Sequence, residues 1–177
     1  MWQNASSLSI KGKSKAYFFP GDFANISKQE ILRIKSDALS DPLGRARYCL
    51  HESPEDLLHC MVIGSLKGTY VEPHRHIKSS VFYQIIEGRL EVLMFDSGGN
   101  ISHRFNMDAK EKHSYHFVRL NPNVWHTEIY LSEVAIFCEV IAASLGKEAN
   151  PVAPWAPDES DEQACQEYLA KLMDTDS

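Results

Sequence analysis

A chain of 177 residues, 44% hydrophobic and 24% charged, holds enough apolar material for one ordinary core and too little for two, and its balance is that of a globular protein. The formal net charge of −6 argues against nucleic acid as a partner, since a phosphate backbone calls for concentrated Lys and Arg. Cys49, Cys60, Cys138 and Cys165 form no C-x-x-C pair, which argues against a zinc knuckle or a thioredoxin motif. Neither a signal-peptide pattern at the amino end nor a membrane-length apolar window is written, so a cytoplasmic location and no membrane partner are expected.

In chain order, the first sixteen residues are polar and carry Lys11, Lys13 and Lys15, the pattern of a loose arm. Ser27 followed by Glu30 is a capping box, and Ile31, Ile34, Ala38 and Leu39 form one helical stripe, which predicts a helix over Ser27–Leu39. From Arg45 the pattern changes to short apolar or alternating runs, RARYCL, LLHCMVIGSL, VFYQII, RLEVLMF, SYHFVRL and VAIFCEVI. These are rich in β-branched and aromatic residues, with no helical crossover between them. An all-β fold of mainly antiparallel strands in a closed or double-sheet arrangement follows. Glu87-Gly88 reads as a tight hairpin and Asp96–Asn100 as a longer turn. Pro151, Pro154 and Pro157 rule out a regular element through NPVAPWAP, and Asp158–Met173 reads as a closing helix. The division is an arm and helix over 1–41, a barrel over 42–143 and a proline-rich wrap with a helix over 144–177, all in one structural domain.

His74 and His76 stand two positions apart in GTYVEPHRHIKSSVFYQIIEG, so in extended chain both imidazoles leave the same face, a geometry suited to two ligands of one metal. With eight histidines in the chain an H-x-H pair alone is weak evidence, and the surrounding motif has to discriminate.

Gly68, His74-x-His76 and Gly88 resemble the first cupin motif, in which two histidines and a glutamate bind metal. NPNVWHTEIY is similar to the second motif and supplies His126, with Val124 and Tyr130 at its usual glycine and asparagine positions. More of the chain, from about Pro42 to Pro157, resembles the WbuC-type cupin metalloproteins, small proteins associated with bacterial surface-polysaccharide gene clusters. The resemblance rests on GRARYCLH, YVEPHRH, IIEGRLEVLMFDSGGNI, VWHT and APWAP in that order. It implies a cupin jelly roll, a double-stranded β-helix with a short helix at each end, and a metal on His74, His76 and His126. It also implies a role on or toward a small carbohydrate or nucleotide sugar, and it makes a homodimer through sheet edges a candidate.

Where the motif carries its glutamate this chain has Val81, which cannot coordinate. Three imidazoles then suit zinc with water, the first expectation, or a ferrous ion. Tyr83, of the same strand parity as Val81, and Glu139, on the strand after His126, are the candidates for a fourth ligand. The alternatives are a sugar- or effector-binding cupin without catalysis that has lost its metal, and a three-histidine ferrous oxygenase. Arg45 and Arg47 share a strand face and, with His51, are candidates for substrate binding; two guanidiniums can hold a phosphate or carboxylate, and salt bridges to acidic residues are the competing reading. His59 reads as a hydrogen-bonded structural residue, His103, His113 and His116 as solvent-facing, and Trp125 and Trp155 as packing groups. No general base is assigned.

Overall fold

The computed structural model describes residues 6–8, 14, 16–142 and 150–174, with backbone only at 6–8. The elements are β1 (Ser6–Leu8), β2 (Ala16–Phe18), α1 (Lys28–Ser40), β3 (Arg45–Cys49), β4 (Leu58–Leu66), β5 (Val81–Glu87) and β6 (Arg89–Phe95). They continue with β7 (Ile101–Asp108), β8 (Phe117–Leu120), β9 (Trp125–Tyr130), β10 (Val134–Ala142) and α2 (Glu162–Asp174).

Two sheets face each other. One has the order β1-β2-β3-β4-β10-β5-β8 and the other β7-β6-β9. The stretch through His74 extends the second sheet by a bridge to His126 on β9. From β4 onward the chain therefore visits first sheet, second, first, second twice, first, second, first. That alternation gives the orders β4-β10-β5-β8 and 73–76-β9-β6-β7, an eight-stranded double-sheet jelly roll. All pairings are antiparallel except β2 with β3.

Period-two alternation fixes what each face buries. Ile63, Val81, Tyr83, Ile85, Leu90, Val92, Met107, Val118 and Phe137 fill the space between the sheets. On the outer face of the larger sheet, Tyr48, Val62 and Ile136 receive Ile34 of α1. Ser27 caps α1 through Gln29 N at 3.2 Å, with Glu30 closing the capping box. The other helix, α2, sets Leu169 and Leu172 on Leu93, Phe95 and Ile129 of the smaller sheet. Both helices thus cover sheet faces. The first sheet's edge is extended by β1 and β2, in part of what reads as a loose arm; Lys11, Lys13 and Lys15 lie outside the described residues.

Gly88 corrects the expected hairpin. β5 and β6 do not pair; the chain crosses between sheets there. Gly88 takes φ +77°, and a Cβ would meet Val134 O at 2.6 Å, so the crossing needs a residue without a side chain. Asp96–Asn100 does form a hairpin turn between β6 and β7, with Asp96 Oδ1 accepting from Gly98 N and Asn100 N.

Candidate metal centre

His126 N–H donates to His74 O and His74 N–H to His126 O, both at 2.9 Å. Two residues that exchange both main-chain bonds project their side chains from the same face. His76, two positions on from His74, shares that face, and its carbonyl accepts from Asn123 N at 2.6 Å. A second wall holds the same stretch: Arg75 N donates to Pro151 O at 3.2 Å and Ala153 N to Pro73 O at 2.7 Å. The proline-rich segment therefore buttresses the histidines. On the opposite face Arg75 lies 4.3 Å over the Trp125 ring, and Trp125 meets Trp155 edge-on at 5.2 Å, so both tryptophans pack.

The ring centroids are 4.5 Å apart for His74 and His126, 5.2 Å for His74 and His76, and 5.4 Å for His76 and His126. One ligand atom from each lies within 4.8 Å of the others. Each Nδ1 faces an oxygen acceptor: Glu72 O at 2.9 Å for His74, Asn150 Oδ1 at 3.0 Å for His76 and Val124 O at 2.8 Å for His126. A carbonyl oxygen can only accept, so the proton sits on Nδ1 and the Nε2 lone pair is left free. Nε2 of His76 and of His126 are buried without a partner. Buried polar atoms are almost always satisfied, and imidazoles held through Nδ1 with Nε2 orphaned are the arrangement of metal-ligating histidines. The residues fit a divalent ion.

Burial, with His74 as a neighbour, pushes the His126 imidazole down to about 4 and lowers that of His76. Both rings are neutral at pH 7, as coordination requires.

Among the described residues no carboxylate joins this group of three. Val81 is 1% exposed and belongs to the apolar core. Tyr83 is fully buried; its hydroxyl donates to Glu128 Oε1 at 2.5 Å, and its ring lies 6.3 Å from that of His126. Glu139 faces Tyr83 across β10 and β5, inside the barrel. Burial and the charge of Glu128 push its carboxyl up to about 8, against the pull of Arg45 and Arg47. Glu128 is the acid that the sequence reading missed. It follows His126 by two on β9, shares its face, and acts electrostatically on both His76 and His126. The parity of His126-Thr127-Glu128 was the available signal. No sequence signal pointed to Asn150.

Arg45 and Arg47 line one cleft, and the structure does not bring His51 into it. His51 Nδ1 sits 3.1 Å from Cys60 O, and its ring stacks on His59 at 4.7 Å. His59 Nε2 lies 3.0 Å from Pro54 O, while His103, His113 and His116 are exposed.

A family profile described as a domain of unknown function, DUF6016, matches residues 26–107. No curated protein matches. Among solved structures, oxalate oxidase in complex with the substrate analogue glycolate is similar at 15% identity and a TM-score of 0.49, over 78% of this chain and 76% of that one. KdgF from Halomonas sp. is similar at 12% identity and a TM-score of 0.45, over 71% of this chain and 93% of that one. An HTH_3 family transcriptional regulator from Vibrio cholerae is similar at 15% identity and a TM-score of 0.41, over 57% of this chain, which spans about half (52%) of its length. The fold is a cupin jelly roll. Its strand order carries that assignment, and the three histidines on the facing strands of the smaller sheet fit a metal-binding cupin. Among the described residues no helix is long and apolar enough to cross a membrane.

Proposed function

We propose that this chain is a divalent-metal cupin in which His74, His76 and His126 hold one ion, zinc in the first instance, beside a small oxygen-bearing ligand of the carbohydrate class. One observation carries the metal: two buried Nε2 atoms without partners, on rings fixed through Nδ1, beside a third ring fixed in the same way. The carbohydrate class is supported by the resemblance to WbuC-type cupins in GRARYCLH, YVEPHRH, VWHT and APWAP.

A bound divalent ion supplies Lewis acidity toward an oxygen of the ligand. The chain's own residues do the rest. Glu72 O, Asn150 Oδ1 and Val124 O orient the rings, and Tyr83 fixes the Glu128 carboxylate two residues along the strand from His126. Val81 and its apolar neighbours exclude water from the core side.

The reading is tested by plasma emission on untagged protein purified without chelator, followed by calorimetric titration with glucose, an uncharged sugar. Near-stoichiometric zinc and saturable binding that disappears with the metal support it. Binding unchanged in metal-free protein favours a ligand-binding module without a metal, and oxygen-sensitive iron in place of zinc favours a ferrous oxygenase.

A further inference from the structure

We propose that Arg45 and Arg47 floor a second ligand site, separate from the histidines, which binds the phosphate or carboxylate of a small hydroxylated anion in a cleft of about 860 Å³. The larger sheet has seven strands and the smaller, with the bridged stretch through His74, four, so the inner face of β3 extends past the facing sheet. Arg45 opposite Ser65 and Arg47 opposite Ile63 project from that inner face, while Tyr48, next after Arg47 and of the opposite parity, packs toward α1. The cleft lies over them, walled by the turn at 42–44, the 66–70 segment and the start of α2; no histidine of the metal centre lines it.

Two adjacent guanidiniums in such a place need an explanation. Both Nε atoms are buried without a partner, and neither residue is in an ion pair among the described residues. Arg47 Nη2 donates to Ser14 O at 3.0 Å, a neutral partner. Glu139, inside the barrel, acts electrostatically on both arginines, yet among the described residues no hydrogen bond or ion pair joins it to either. Buried charge is costly unless it is paired, and two forked donors side by side match a phosphate or a carboxylate.

Among the described residues no acid on the walls is ion-paired with either arginine, although the charge of Asp41 acts on Arg47. Asp41 Oδ1 accepts from Leu43 N, Glu72 Oε1 from Glu159 N, and Asp158 Oδ1 from Ser160 N. Asp41 and Asp158 are engaged in their own turns and Glu72 holds the turn at Glu159; all three line the cleft with Thr69 and the exposed Glu159 and Glu162. Such a rim accepts hydrogen bonds from hydroxyl groups and disfavours a bare anion. The ligand chemistry is therefore an anionic head with a hydroxylated body.

The site is independent of the metal, and the test keeps the two apart. Inorganic phosphate, glucose 1-phosphate and gluconate are titrated by calorimetry at pH 7 into wild-type protein and into His126→Ala. The expected result is saturable binding of glucose 1-phosphate or gluconate in both proteins, the tighter of the two identifying the head group, with inorganic phosphate at least about tenfold weaker. Replacing both arginines by Met keeps the apolar stems, and should weaken binding by about a hundredfold or more while metal content stays at the wild-type level. If that double variant does not fold, Arg47→Lys, which keeps the charge and loses the fork, should weaken binding by about tenfold. No binding of any of the three probes overturns the proposal. So does wild-type affinity in the arginine variants, binding lost in His126→Ala, or inorganic phosphate binding as tightly as the hydroxylated ligands.

Discussion

His74 and His126 form a closed pair: each donates its main-chain N–H to the other's carbonyl at 2.9 Å, and their rings stand 4.5 Å apart. The pairing joins the stretch after β4 to β9 and sets the Cα–Cβ directions of two ligands by backbone geometry. His76 has no such pair. Its ring is oriented by Asn150 from the proline-rich segment.

That difference makes Asn150 the most sensitive support. Asn150→Ala removes the Nδ1 partner of His76 without touching a ligand, and a lost support of this kind typically costs about 10–100-fold in metal affinity. Competition with a chromogenic chelator measures it. Affinity within twofold of wild type would show that Asn150 does not position the ring.

Acid should weaken the metal-free protein in a defined window. The His126 imidazole is pushed down to about 4 in the folded chain, from a usual value near 6.5. Between those values the unfolded chain binds a proton that the folded chain refuses, so stability is full above about pH 6.5 and falls as pH drops toward 4, by on the order of 3 kcal/mol. Urea unfolding of chelator-treated protein at half-unit steps reads the slope; a flat profile there contradicts it. For the same reason metal occupancy should persist below pH 6.5, lower than an ordinary histidine would allow.

Sequence and structure agree most closely where a local pattern is strong. Arg89–Phe95 is a strand with the bounds that its alternation suggests, and Ser27 caps α1 as its spacing to Glu30 requires. The strand Ile101–Asp108 was not legible because ISHRFNMD lies at a sheet edge with its polar side chains in solvent, so alternation there carries little apolar contrast. Gly88 was misread because a chain crossing between sheets asks for the same positive φ as a hairpin turn. Within the site, the H-x-H parity and the second motif identify the three histidines. Asn150 was not legible, since it reaches His76 from a segment distant in sequence, and Glu72 was not because it acts through its main-chain carbonyl, which any residue carries. His51 looked like a companion of the arginines by proximity in sequence alone; the end of β3 carries it to Cys60 and His59.

Val81→Glu separates two effects. The side chain occupies a core position with 1% exposure, so a carboxylate placed there lowers the melting temperature of the metal-free protein. It also restores an anionic group on the motif's position, and zinc should recover more stability in this variant than in wild type. Thermal scans with and without zinc decide; an equal zinc-induced shift in both proteins would show that position 81 does not address the ion.

Tyr83→Phe leaves Glu128 without its buried donor. The expected cost is about 1–3 kcal/mol in urea unfolding, with metal content unchanged because neither residue belongs to the group of three. Loss of metal in this variant would instead assign Tyr83 to the coordination shell.

The central claim is tested most directly by metal stoichiometry in wild type and in His126→Ala, measured by plasma emission on protein without an affinity tag. Three imidazoles with free Nε2 atoms predict close to one divalent ion per wild-type chain. In the variant they predict near-complete loss, with the circular dichroism of an intact β fold. Equal metal content in the two proteins, or none in either after growth with added zinc, would contradict the account.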